Sequence, residues 1–89
     1  MRVRYTGRVQ GVGFRATAQR LAAALAVSGW VRNEPDGSVL LEAQGREHDV
    51  RELLGRISQA LSRQIAAAWT DELPELPGES PADGFHITR

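Results

Sequence analysis

The chain has 89 residues, which is enough for one hydrophobic core and too few for two, so a single domain over residues 1–89 is expected. Its 11 basic and 11 acidic residues cancel, and that balance lacks the electrostatic footprint of a protein that binds long nucleic acid. There is no cysteine, which excludes disulfide scaffolds, thiolate metal sites and thiol nucleophiles. Every basic residue is an arginine, the better fork for a phosphate. Met1 runs straight into Arg2-Val3-Arg4-Tyr5 without an apolar leader, and no stretch is long enough to span a bilayer. A cytoplasmic setting is the default expectation.

Residues 2–9 alternate, with Val3 and Tyr5 on one side and Arg2 and Arg4 on the other, which predicts a half-buried strand. Gly7, Gly11 and Gly13 break this pattern. Beyond them Phe14, Ala18, Leu21, Ala22 and Leu25 recur at helical spacing, predicting an amphipathic helix over Phe14 to Ala26. Gly29 closes the connection, and Trp30-Val31-Arg32 reads as a second strand. Glu34-Pro35-Asp36-Gly37 has turn chemistry, since proline presets φ and glycine accepts φ above zero. Val39, Leu41 and Ala43 alternate with Leu40, Glu42 and Gln44 in a third strand.

Glu47 and Asp49 place negative charge where a second helix would start, and Val50, Leu53, Leu54, Ile57 and Leu61 form its apolar stripe. Gly55 lies off that stripe and costs the helix about 1 kcal/mol relative to alanine. A fourth strand is weakly marked near Gln64 to Thr70, where three consecutive alanines would equally suit a helix. Leu73 to Gly84 holds three prolines and reads as a loop, and Phe85-His86-Ile87-Thr88 as a short last strand. The order is βαββαβ with an added strand. Its expected architecture is α+β: a ferredoxin-like α/β sandwich with both helices on one face of a mainly antiparallel sheet.

The segment richest in chemistry is Gly7-Arg8-Val9-Gln10-Gly11-Val12-Gly13-Phe14-Arg15. It leaves a strand, turns through glycines and enters a helix, so successive backbone N–H groups can converge into an anion nest. The helix start behind it adds free donors and the positive end of the dipole. Arg15 falls in the first helical turn, where the dipole disfavours a cation by about 0.3–1 kcal/mol at an exposed site. A bound dianion would reverse that sign; a solvated arginine that snorkels away is the alternative. Gly11-Val12-Gly13-Phe14-Arg15-Ala16 also fits the GxGxxA dinucleotide fingerprint, but two helices cannot build the parallel sheet that motif needs. The Walker phosphate loop fails because no GK[ST] follows the glycines.

The same nine residues resemble the acylphosphatase signature, and Gly29-Trp30-Val31-Arg32-Asn33 resembles that family's second one. The interval from Arg15 to Asn33, the Asp36-Gly37-Ser38-Val39 turn and the terminal Gly84-Phe85-His86-Ile87 also look like the family's. The resemblance is strong from Val3 to Gly45 and thinner beyond. It implies hydrolysis of carboxylic–phosphoric anhydrides to carboxylate and inorganic phosphate. By position it makes Arg15 the phosphate ligand, assisted by amides of Arg8, Val9, Gln10, Gly11, Val12, Gly13, Phe14 and Arg15. Asn33 becomes the residue that orients the attacking water. Three departures are Ala18, where the family usually has threonine, Ala26 within Leu25-Ala26-Val27, where a glycine usually ends the helix, and a poorly matched fourth strand. The resemblance implies no cofactor and no metal.

A site of one arginine and one asparagine constrains its own substrate. Asparagine can hold a water but does not titrate. A carboxylate leaving group departs as a stable anion without a general acid, and phosphoryl transfer otherwise needs positioning and charge stabilisation. For Asn33 the competing role is a local cap on the turn that follows it. His48 and His86 have no metal-ligand spacing, Glu79 and Asp83 fall in the loop, and Trp30 and Trp69 are expected as core or edge aromatics. Two other functions compete: a phosphate-binding module without turnover, and an RNA-recognition domain. The second needs aromatics on the central strands, and the first and third strands have Tyr5 alone. The expected partner is a small-molecule acyl phosphate, with no nucleic acid or membrane, and a monomer is the simplest state.

Overall fold

The computed structural model describes residues 1–72 and 84–88. Its elements run β1 (Arg2–Gly7), α1 (Phe14–Ala22), β2 (Val27–Asn33), β3 (Val39–Gly45), α2 (Glu47–Ala60), β4 (Ile65–Asp71) and β5 (Phe85–Thr88). The five strands form one sheet in the order β4-β1-β3-β2-β5. Every pairing is antiparallel except β2 with β5. This is the ferredoxin-like sandwich that the element order predicts, with two helices over a mixed sheet.

Alternation decides which face is covered. Val3, Tyr5, Val27, Val31, Val39, Leu41, Ala43 and Phe85 point to the helices and are buried. They meet Phe14, Ala18 and Ala22 of α1 and Val50, Leu53 and Ile57 of α2, with Leu61 just beyond. Arg2 and Arg4 lie on the opposite face, as their positions in the alternation require. The central strand β3 is buried on both sides; on the face away from the helices Glu42 is 5% exposed and pairs with Arg2 at 3.5 Å. Tyr5 packs its ring on Phe14 at 4.9 Å between centroids, on the helix side. Burial pushes its hydroxyl well above the ordinary phenol range. It is therefore unavailable to stack on a base.

Three boundaries differ from those the sequence predicts. Helix α1 ends at Ala22 rather than Ala26. Its last turn tightens into i→i+3 bonds, from Ala24 N–H to Leu21 O at 3.3 Å and from Leu25 N–H to Ala22 O at 3.0 Å. Among the described residues no non-glycine takes a positive φ, so the helix stops without the left-handed cap that glycine would supply. Leu25 still packs against the core, from the turn and not from a helix. Strand β2 consequently begins at Val27 and contains Gly29, which the sequence reading treated as connection. A Cβ at Gly29 would lie 1.9 Å from the Glu42 carbonyl oxygen, so this position needs glycine for close backbone approach.

Strand β1 stops at Gly7, where its register against β4 shifts between Thr6 and Gly7. Val9 is outside the strand but only 1% exposed. Strand β4 is a strand despite its alanines, because pairing with β1 overrides a weak local preference. Trp69, on that edge strand, is 66% exposed, whereas Trp30 sits half-buried beneath the Arg32 guanidinium at 4.8 Å. The expected loop from Leu73 lies outside the described residues, except for Gly84.

Candidate active site

Strand β1 and helix α1 are joined by residues 8–13, and the ends of this loop are held differently. At its start the Arg8 N–H donates to the Gln64 carbonyl at 2.8 Å. At its end Phe14, the first helical residue, is driven into the core against Tyr5 and thereby sets the position of the helix terminus. Gly11 and Gly13 have φ of 75° and 79°, and nothing lies within 4 Å of a Cβ added at either. Their requirement is conformational rather than spatial. Gly13 is the N-cap, with no side chain to satisfy the helix start. The first intrahelical bond is Thr17 N–H to Gly13 O at 2.9 Å. Among the described residues, the N–H groups from Val9 to Ala16 donate to no backbone carbonyl.

Beside this loop and helix start is a cavity of about 200 Å³ lined by Val9, Gly11, Gly13, Phe14, Arg15 and Ala16, by Asn33 at the end of β2, and by Ile87 of β5. The chain crossing brings together Arg15 and Asn33, which sequence reasoning paired only through a resemblance. Arg8, Gln10 and Val12 belong to the loop but do not line the cavity, and the Arg8 amide is engaged by Gln64. Ala16 and Ile87 line it and were not singled out from sequence. Ile87 carries no chemical signal of its own, since an alternating apolar residue reads as core.

Arg15 is half-buried, and no carboxylate pairs with it among the described residues, in contrast to Arg2, Arg4, Arg32, Arg51 and Arg56. A cation at a helix N-terminus without a counter-charge is an arrangement that an incoming anion would relieve. Asn33 is likewise half-buried, and its side chain makes no hydrogen bond among the described residues.

Other groups hold the turn after Asn33. Glu34 N–H donates to Ser38 O at 2.9 Å and Gly37 N–H to Glu34 O at 3.1 Å. Asp36 Oδ1 accepts the Ser38 N–H at 2.9 Å and the Ser38 hydroxyl at 2.6 Å. Those bonds, the hydroxyl's foremost, hold the Asp36 carboxyl below the usual carboxylate range. Arg4 Nη1 donates to Ser38 Oγ at 2.9 Å. From the loop, Gln10 Nε2 donates to Glu34 O at 2.7 Å and Ser38 O at 2.9 Å. The turn is thus held without Asn33, which lines the cavity and whose side chain makes no hydrogen bond among the described residues.

Among the described residues no group of three His, Asp or Glu side chains is arranged to hold a metal ion. No described helix is long and apolar enough to cross a membrane.

Fold and site together define a small α+β sandwich with a glycine-rich loop over an arginine-bearing helix start. The acylphosphatase family model matches residues 1–87. An acylphosphatase of Oceanobacillus iheyensis is 39% identical over 98% of this chain and 94% of its own length. One of Salinibacter ruber is 43% identical over 97% of this chain and 88% of its own. The crystal structure of acylphosphatase from Bacillus subtilis superposes with a TM-score of 0.84 at 29% identity, covering 99% of this chain and 96% of that one. The chain belongs to the acylphosphatase family and is a hydrolase.

Proposed function

We propose that the chain hydrolyses the carboxyl–phosphate bond of small acyl phosphates, with Arg15 holding the phosphate and Asn33 orienting the water. The observation that carries this reading is that one cavity of about 200 Å³ is lined by residues of the loop and helix start, by Arg15 and by Asn33, and that among the described residues Arg15 has no carboxylate partner and the Asn33 side chain no hydrogen bond. The phosphoryl oxygens take the amides of the lining residues Val9, Gly11, Gly13, Phe14 and Arg15 and the fork of Arg15. A water hydrogen-bonded to the Asn33 side chain attacks phosphorus. The new P–O bond forms as the bond to the acyl oxygen breaks, the carboxylate leaves with the electron pair, and the water's proton passes to a phosphate oxygen or to solvent. No general acid is required, because the leaving group is already a stable anion. Phosphate esters, whose alkoxide leaving groups are poor, should be far worse substrates.

The reaction in this reading needs no metal, the protein acts as a cytoplasmic monomer, and nucleic acid is not a partner. The test is the loss of benzoyl phosphate, followed by absorbance with chelator present and no added metal. Acceleration over the buffer rate is expected; its absence would favour a phosphate-binding module without turnover. Arg15→Lys should not restore what Arg15→Ala removes, since an ammonium cannot make the forked contact. Asn33→Ala should lower kcat while leaving phosphate inhibition nearly unchanged, and an effect confined to KM would assign Asn33 to binding.

A further inference from the structure

We infer that Gln10 is a positioning residue, whose side-chain amide sets the separation between the phosphate loop and Asn33. The inference rests on the reading of the site given above. Among the described residues, the hydrogen bonds made by residues 9–12 are the two that Gln10 Nε2 donates, to Glu34 O at 2.7 Å and to Ser38 O at 2.9 Å. Both carbonyls belong to the turn that immediately follows Asn33, and both also accept a backbone N–H within that turn. Gln10 therefore spans the gap between the two halves of the site, which are 18 or more residues apart along the chain and are carried on different elements.

The residue type fits this task. A primary amide presents two N–H groups from one nitrogen, and here each finds a carbonyl; a carboxylate of the same shape would set lone pairs against lone pairs. Gln10 itself is exposed and does not line the cavity, so it neither touches the phosphate through its side chain nor fills the core. The rest of the loop keeps other anchors, the Arg8–Gln64 bond and the buried Phe14. Loss of the Gln10 bridge should thus leave the amide nest able to take phosphate while letting the Asn33 turn drift from it. Displacement of a reacting group by an ångström can cost about a hundredfold in rate.

The experiment is a double-mutant cycle on benzoyl phosphate hydrolysis with Gln10→Leu, Asn33→Ala and both together, and with phosphate inhibition and thermal unfolding measured alongside. Gln10→Leu should lower kcat by about tenfold or more, with the phosphate inhibition constant changed by less than about threefold. In the Asn33→Ala background the same substitution should have almost no further effect, because it acts through Asn33. Equal losses in the two backgrounds, or full kcat in Gln10→Leu, would overturn the inference while the function stands. A wild type without turnover would overturn the reading of the site and the inference with it.

Gln10→Glu supplies a check that does not depend on loss alone. Near neutral pH its carboxylate faces two carbonyl oxygens, and kcat should be at least as low as in Gln10→Leu. As pH falls towards about 4 the carboxyl gains a proton and one donor, so kcat relative to wild type should recover. A ratio that stays flat with pH would contradict the bridge.

Discussion

Arg15→Met separates what Arg15 does for the fold from what it does for the ligand. Methionine keeps an unbranched stem of similar reach and nearly the same helix propensity, so the change removes chiefly the charge. No carboxylate pairs with Arg15 among the described residues, so no ion pair is lost. What disappears is the repulsion between a cation and the positive end of α1, about 0.3–1 kcal/mol. At about 4–8 °C per kcal/mol for a domain of this size, the unliganded variant should melt roughly 1–8 °C above wild type. Phosphate should invert the order. At a hundred times its Kd a ligand adds about 2.7 kcal/mol to a protein that binds it, and the variant should gain little of this. Thermal unfolding at low ionic strength, with and without inorganic phosphate, measures both halves. A variant less stable than wild type without phosphate would refute the argument, since it would mean Arg15 has a structural partner. So would equal stabilisation of both proteins by phosphate.

Three further outcomes follow from the geometry. Gly29→Ala drives a methyl to within 1.9 Å of the Glu42 carbonyl oxygen at φ of 141°, and should destabilise by about 3 kcal/mol or more in denaturant titration. Gly55→Ala, in the exposed interior of α2 with nothing within 4 Å of the new Cβ, should stabilise by about 1 kcal/mol and leave kcat unchanged. Asp36 has a carboxyl held below its ordinary value by Ser38, so its contribution is fully present above the unfolded pKa of about 3.9 and is lost as pH falls through the lower folded value. The stability difference between wild type and Asp36→Asn should therefore be constant near neutral pH and shrink on acidification below about pH 4; a difference that persists at lower pH would contradict this sign.

Several levels were legible before any coordinates. Period-two alternation in residues 2–5 and 39–44 and the apolar stripe of α2 follow from local geometry, which repeats every few residues and is written directly into the chain. The loop's glycines and the cation behind them were legible for the same reason: positive φ and a helix start are local demands. The errors fell where tertiary contact overrules local preference. Gly29 punctuates a sequence but here lies inside a strand, because the backbone of β3 approaches too closely for a Cβ. The alanines of β4 have little preference of their own, and pairing with β1 decides them.

The site divides along the same line. Arg15 and the anion loop are local, and their physical argument needs only the start of a helix. Asn33 is different, because an asparagine before a turn has an ordinary local use, and the linear chain does not say whether that use is taken up. In the tertiary structure Asp36, Arg4 and Gln10 hold the turn, and Asn33 lines the cavity without a side-chain hydrogen bond among the described residues. Ile87 and the bridging role of Gln10 depend on strand order and on a contact between segments distant in sequence. Local propensity acts over a few residues, whereas the strand order β4-β1-β3-β2-β5 that sets these neighbours results from the whole chain burying one core.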